Sequence, residues 1–164
     1  MALCKIGAVA IPATHMLTAS DIVYRNQRAS VKAIICVNDE YVTTQVREAM
    51  SESPTVEVLV AVNSLAQKGC PVAEGFHDWF AEWEKAPAFV RPEEVNVNED
   101  TMLMYFTSGT SGEPKMVAHD HLYALGHLVT GVFWHNLDED SIHLTVADTG
   151  WGKAVWGKLY GQWF

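Results

Sequence analysis

MLMYFTSGTSGEPKMVAHDH, residues 102–121, joins an apolar strand signal to a loop of Gly, Ser and Thr, then to Pro114-Lys115, then to a helix signal with Leu122, Leu125 and Val129 on one face. The order strand, loop, helix has a physical use. Gly109 and Gly112 permit backbone angles closed to other residues and let main-chain N–H groups approach a ligand, while Thr107, Ser108, Thr110 and Ser111 add hydroxyl donors. Glu113 and Pro114 complete the run, and Lys115 supplies the positive charge. Converging donors and one ammonium suit the β- and γ-phosphates of a nucleotide, each charge-assisted bond contributing about 1.5–3 kcal/mol. The common phosphate and nucleophile loops are excluded by spacing. Lys115 lies between Pro114 and Met116, which is no Walker ending, and neither a dinucleotide G-x-G-x-x-G nor a G-x-S-x-G elbow fits. On composition alone the stretch also reads as a flexible Ser/Gly surface connector.

Outward from the loop, β-branched runs alternate with helix-period segments, as in βαβ units building a mostly parallel sheet flanked by helices. Strands are predicted at residues 7–11 (GAVAI), 33–37 (AIICV), 56–62 (VEVLVAV), 102–106 (MLMYF) and 142–146 (IHLTV), with a weak sixth at 95–97. A helix is predicted to start from a capping Thr18 or Ser20, and a second to span residues 41–50 before Pro54. Phe76, Trp79, Phe80 and Trp83 repeat at helical spacing, followed by an extended connector at Pro87 and Pro92. At the far end Val155, Trp156, Leu159, Tyr160, Trp163 and Phe164 draw an apolar stripe that needs a covering surface, from which we expect the natural polypeptide to continue. Met1 reads as an internal methionine or a late start.

The 164 residues, 49% hydrophobic, provide one domain's core, and twenty acidic against eleven basic residues leave a net charge of -9. Such a field repels polyanions, which argues against nucleic acid or an anionic membrane as partner, so any phosphate must be held locally. Cys4, Cys36 and Cys70 fit no disulfide or zinc pattern and suit a reducing cytosol. The longest apolar run near the start is too short to span a bilayer.

The residues from Phe106 to Lys115 resemble the signature loop of the adenylate-forming (ANL) superfamily, an aromatic-Thr-Ser-Gly-Thr-Ser/Thr-Gly-x-Pro-Lys run, at every specified position. LCKIGAVAIPATHMLTASDIVYR at 3–25 and ADTGWGKAVWGKLYGQWF at 147–164 look like the flanking regions of acyl-CoA synthetases. Met116 and the run from Asp148 to Trp151 look most like the medium-chain and acetyl-CoA synthetase-like branch. The resemblance implies an α/β fold, a truncated N-terminal domain of three-layer type, with the C-terminal lid domain outside the chain. It also implies a ligase using ATP, Mg²⁺ and CoA to activate a carboxylic acid through an acyl-adenylate, releasing AMP and pyrophosphate.

By position, Thr107, Ser108, Gly109, Thr110, Ser111, Gly112, Glu113, Pro114 and Lys115 would grip the ATP phosphates, with Lys115 steadying pyrophosphate. Trp151 and Gly152 fall where the family turns towards its acyl pocket, although a buried structural Trp151 is the simpler reading. The resemblance leaves open an adenylation enzyme that loads a carrier protein, and a non-catalytic remnant that binds ATP or a sister domain. The family's adenine, ribose and magnesium motifs lie downstream, so residues 1–164 alone are expected to form no adenylate.

His119, His121, His127 and His135 lack metal-ligand spacing and read as solvated or capping groups, the acidic runs at 99–100 and 138–140 as helix-entry or solvent-facing groups with no assigned role. Trp79, Trp83, Trp156 and Trp163 read as packing residues, and Cys36 as a small core residue. No metal ligands are assigned.

Overall fold

The computed structural model describes residues 2–94, 96–108 and 112–161. In chain order the elements are α1 (Ala2–Lys5), α2 (Ala19–Ala29), β1 (Ala33–Val37), α3 (Glu40–Ala49), β2 (Val58–Val62), β3 (His77–Asp78), α4 (Trp79–Lys85), β4 (Thr101–Thr107), β5 (Lys115–Asp120), α5 (Leu122–Thr130) and α6 (Gly152–Ala154). π-Helical turns at Gly131–His135 and Val155–Tyr160 extend α5 and α6. The elements form two compact units, one of His15–Phe89 and one of residues 2–14 with 90–161.

In His15–Phe89 the strand order is β1-β2-β3, all parallel, with Ala33 opposite Val58 and Val60 opposite His77. Parallel neighbours need a crossover, which α3 supplies between β1 and β2. Each helix here starts from a side-chain cap. Thr18 and Asp21 form a reciprocal capping box at α2, Asp39 accepts from the first turn of α3, and Asp78 does the same for α4. The apolar stripes of α2 and α3 bury Ile22, Val46 and Ala49 against Ile34, Cys36, Leu59 and Phe76. Burial pushes the Cys36 thiol up to about 11, which fits its reading as a core residue. On the other face of this sheet Ile35, Val37 and Val58 are exposed. The parallel sheet with helices is the α/β class expected from the sequence.

In the second unit β4 and β5 pair antiparallel, and Ala10 adds one parallel bridge to Leu103. Met102, Leu103 and Tyr105 of β4 form the core with Tyr160, packed by Cys4, Ala10, Tyr123, Ala124, Val155 and Leu159. The stripe of Val155, Leu159 and Tyr160 therefore finds cover within the chain; Trp163 and Phe164 lie outside the described residues. Gly131 and Gly161 let the two helical segments approach closely, since a Cβ on Gly131 would lie 2.3 Å from the Gly161 carbonyl oxygen.

Five expectations need correction. Residues 116–120 form a strand, not the start of a helix, because β4 offers them a ladder. Residues 7–11 make only the single bridge at Ala10. Residues 142–146 are extended and alternate, but His143 and Thr145 turn inward, Thr145 donating to the Gly157 carbonyl, while Ile142, Leu144 and Val146 are exposed and pair with no described strand. At 95–97, Val95 lies outside the described residues, and Val97 instead closes a turn with Asp100. The predicted face of α5, Leu122, Leu125 and Val129, is exposed; Tyr123 and Ala124 are the residues that pack.

Candidate functional site

β4 is buried on both faces at Met102 and Leu103, buries Tyr105, and runs out to an exposed Thr107. The loop that follows is the turn of a hairpin, for Thr107 stands opposite Lys115 in the ladder and its hydroxyl leans on the Lys115 carbonyl at 3.5 Å. Thr107, Ser108, Gly112, Glu113 and Lys115 are exposed, and Pro114 is half-buried. Gly112 sits at φ +103°, a conformation that strains any side chain, with open space where a Cβ would project. Gly109, Thr110 and Ser111 lie outside the described residues.

This geometry changes the electrostatic argument for the loop. α5 starts only at Leu122, after the whole of β5, so no helix N-terminus points at the turn as it would in a Walker loop. An anion there would be held by loop N–H groups, hydroxyls and the Lys115 ammonium. The Lys115 backbone is fixed by the ladder while its side chain is free of the core, which suits a cation that must reach a charged ligand.

Trp151 and Gly152 begin α6. Trp151 is 66% exposed, which overturns its reading as a buried structural tryptophan. It occupies the last position of a turn in which its N–H donates to the Asp148 carbonyl at 3.0 Å and the Gly150 N–H donates to Asp148 Oδ1 at 2.7 Å. Gly152 lies over the buried Tyr105, a Cβ there meeting Tyr105 Cε2 at 3.9 Å. The Tyr105 hydroxyl is buried without a hydrogen-bond partner among the described residues, and burial is the first cause of its raised pKa.

Sequence reasoning misread the histidines. His119 packs on Tyr123 with ring centroids 4.2 Å apart, Tyr123 on His127 at 4.5 Å, and both His127 and His135 stack on Trp156. They are ring-packing groups, not solvated ones; His121 alone sits at a helix cap, without a side-chain bond. Burial, then the nearby His119, lowers the His127 pKa and favours the neutral ring. This ladder was invisible because its members lie on β5, α5 and the turn after α6. Trp156 packs as expected, and Asp138 accepts from the Ser141 hydroxyl in a turn, a partner the sequence reading did not assign. Among the described residues no three His, Cys, Asp or Glu come together as metal ligands, and no helix is long and apolar enough to cross a membrane.

The fold is shared with solved structures. An acyl-CoA synthetase of Brucella canis superposes with a TM-score of 0.76 at 21% identity, covering 97% of this chain and 27% of that one. The anthranilate CoA ligase AuaEII, solved with anthranoyl-AMP, gives a TM-score of 0.64 at 23% identity over 79% of this chain and 23% of its own. The AMP-binding enzyme family model matches residues 1–161, and the chain belongs to that family. Among curated relatives, mitochondrial acyl-coenzyme A synthetase ACSM5 of Mus musculus is 34% identical over 169 residues, covering 99% of this chain. Mitochondrial ACSM3 of Homo sapiens is 30% identical over 167 residues, again covering 99% of this chain. The chain spans 27% and 26% of the length of these two relatives.

Proposed function

We propose that residues 1–164 supply the ATP-phosphate loop of a ligase that joins a carboxylic acid, of short or medium chain, to CoA. In the first step a carboxylate oxygen attacks the α-phosphorus of ATP, the bond to pyrophosphate breaks, and acyl-adenylate forms. In the second the CoA thiol gives up its proton and attacks the acyl carbon, and AMP leaves. The observation that carries this reading is the pairing of exposed Thr107 and Lys115 opposite each other at the two ends of the loop.

The loop would grip the β- and γ-phosphates through its hydroxyls and N–H groups from Thr107 to Glu113, with Pro114 shaping the turn, and Lys115 would neutralise charge gathering on departing pyrophosphate. Trp151 and Gly152 would border the acyl group, the exposed indole offering an apolar wall. Magnesium would enter with the phosphates of the nucleotide, which supply most of its oxygen ligands in such sites. For compartment, three free cysteines favour the cytosol, whereas the curated relatives are named mitochondrial; subcellular fractionation separates the two.

The test is Lys115→Ala in the complete ligase. Loss of one charge-assisted contact of about 1.5–3 kcal/mol lowers kcat/KM for ATP by roughly one to two powers of ten. Unchanged ATP kinetics would remove Lys115, and with it the phosphate-loop reading.

A further inference from the structure

The turn that presents Trp151 is tied to a residue far away in sequence. Asp148 Oδ1 accepts the Gly150 N–H, and its other oxygen, Oδ2, accepts the Thr14 hydroxyl at 3.1 Å. At the same point the two backbones touch: a Cβ on Gly150 would lie 2.4 Å from the Thr14 nitrogen and 2.8 Å from the Ala13 carbonyl carbon. Main chain cannot swing aside as a flexible side chain would, so only glycine fits there.

The segment bearing Thr14 is in turn fastened to β4. The Ala10 N–H donates to the Met102 carbonyl at 3.0 Å, and the Met104 N–H donates to the Ala10 carbonyl at 2.9 Å. β4 then runs directly to Thr107, where the phosphate loop begins. A short series of bonds thus links the strand that leads into the loop with the turn that carries Trp151. The indole is 66% exposed, so the backbone turn, far more than packing, sets where the ring stands.

We propose that Thr14 is a positioning residue for acid recognition: through Asp148 and the close approach at Gly150 it sets the distance between the phosphate loop and the Trp151 wall. The proposal rests on the reading of Trp151 as part of the acyl pocket. Loss of the clamp lets the turn shift, and displacement by about an ångström at a substrate-positioning group can cost as much as a hundredfold in rate.

The experiment measures kcat and KM, in the complete ligase, for ATP and for straight-chain carboxylic acids from short to long. Wild type, Trp151→Ala, Thr14→Val, Thr14→Ser and Gly150→Ala are compared. Thr14→Val, by losing the bond to Asp148, and Gly150→Ala, by forcing the backbones apart, should each raise KM for the preferred acid roughly tenfold, within the cost of misplacing a positioning group. They should also shift the chain-length profile in the direction of Trp151→Ala, with KM for ATP unchanged. Thr14→Ser keeps the hydroxyl and should restore the wild-type profile. Should Thr14→Val fail to fold, Asp148→Asn, which weakens the bond from Thr14, is read on the same acids.

If Trp151→Ala alters the acid profile while Thr14→Val and Gly150→Ala leave it untouched, the positioning role is overturned and the pocket reading survives. If Trp151→Ala itself changes nothing, the pocket reading fails, and the proposal falls with it. A loss confined to KM for ATP in the Thr14 variants, with the acid profile unchanged, also overturns it.

Discussion

Within His15–Phe89, α2, α3 and α4 each start from a side chain that bonds to the helix's own first turn, at Thr18, Asp39 and Asp78. In residues 2–14 and 90–161 the N-cap residues of α5 and α6, His121 and Trp151, make no such bond. The second unit is held by ties between distant positions: Ala10 to Met102, Thr14 to Asp148, Tyr160 to Met102, and the contact of Gly131 with Gly161. Helix starts in the first unit are specified by their N-cap side chains, whereas those of the second are not; ties between distant positions occur in both, as from Asn38 to Asn63 in the first. The contrast teaches that the turn carrying Trp151, unlike the phosphate loop, is held by ties that no local signal announces.

That contrast can be broken most readily at Gly131. An alanine there forces backbone apart, and Gly131→Ala should cost about 3 kcal/mol in urea unfolding, at the upper end for overpacking. Gly126→Ala on the same helix has open space and should be neutral or slightly stabilising. Equal behaviour of the two would mean that the close approach contributes nothing.

A smaller loss, about 2 kcal/mol, is expected for Asn26→Ala in the first unit. Asn26 Nδ2 donates to Ser53 Oγ at 2.9 Å with both residues buried, and truncation deprives that hydroxyl of its partner. If this loss exceeds that of Gly131→Ala, the first unit is as dependent on long-range ties as the second.

Thr18→Ala should have the smallest effect, about 1 kcal/mol, through loss of the α2 cap. It also carries a pH signature. The Thr18 hydroxyl, with help from its N–H and from Arg25 and against burial, holds the Asp21 carboxyl below its ordinary value. A depressed carboxylate adds stability that is complete above the unfolded value of about 3.9 and is lost as pH falls through the lower folded value. Stability curves of wild type and Thr18→Ala should therefore converge below about pH 4, and parallel curves would show that the Thr18–Asp21 bond does not form in solution.

Much of the first unit was legible in advance. Residues 33–37 were read as the strand they form, the helix read at 41–50 forms at Glu40–Ala49, and the capping Thr18 was one of two candidates, because periodicity and caps act over a few residues. The loop from Thr107 to Lys115 was legible for the same reason: its donors and its charge are contiguous. β5 was missed because MVAHD carries no alternation of its own and becomes a strand only beside β4. Leu122, Leu125 and Val129 misled because α5 is apolar all round, and periodicity cannot say which side a neighbour will cover.

By itself the amino-acid sequence determined the α/β rhythm, the caps and the donor-rich loop with its lysine. Tertiary structure alone decided that the loop is a hairpin turn, that the histidines pack as a ring ladder, and that Thr14 reaches Asp148. The physical reason is range: propensity, capping and loop chemistry act between neighbours in sequence, while ladders, ring stacks and backbone contacts join residues that only the folded chain brings together.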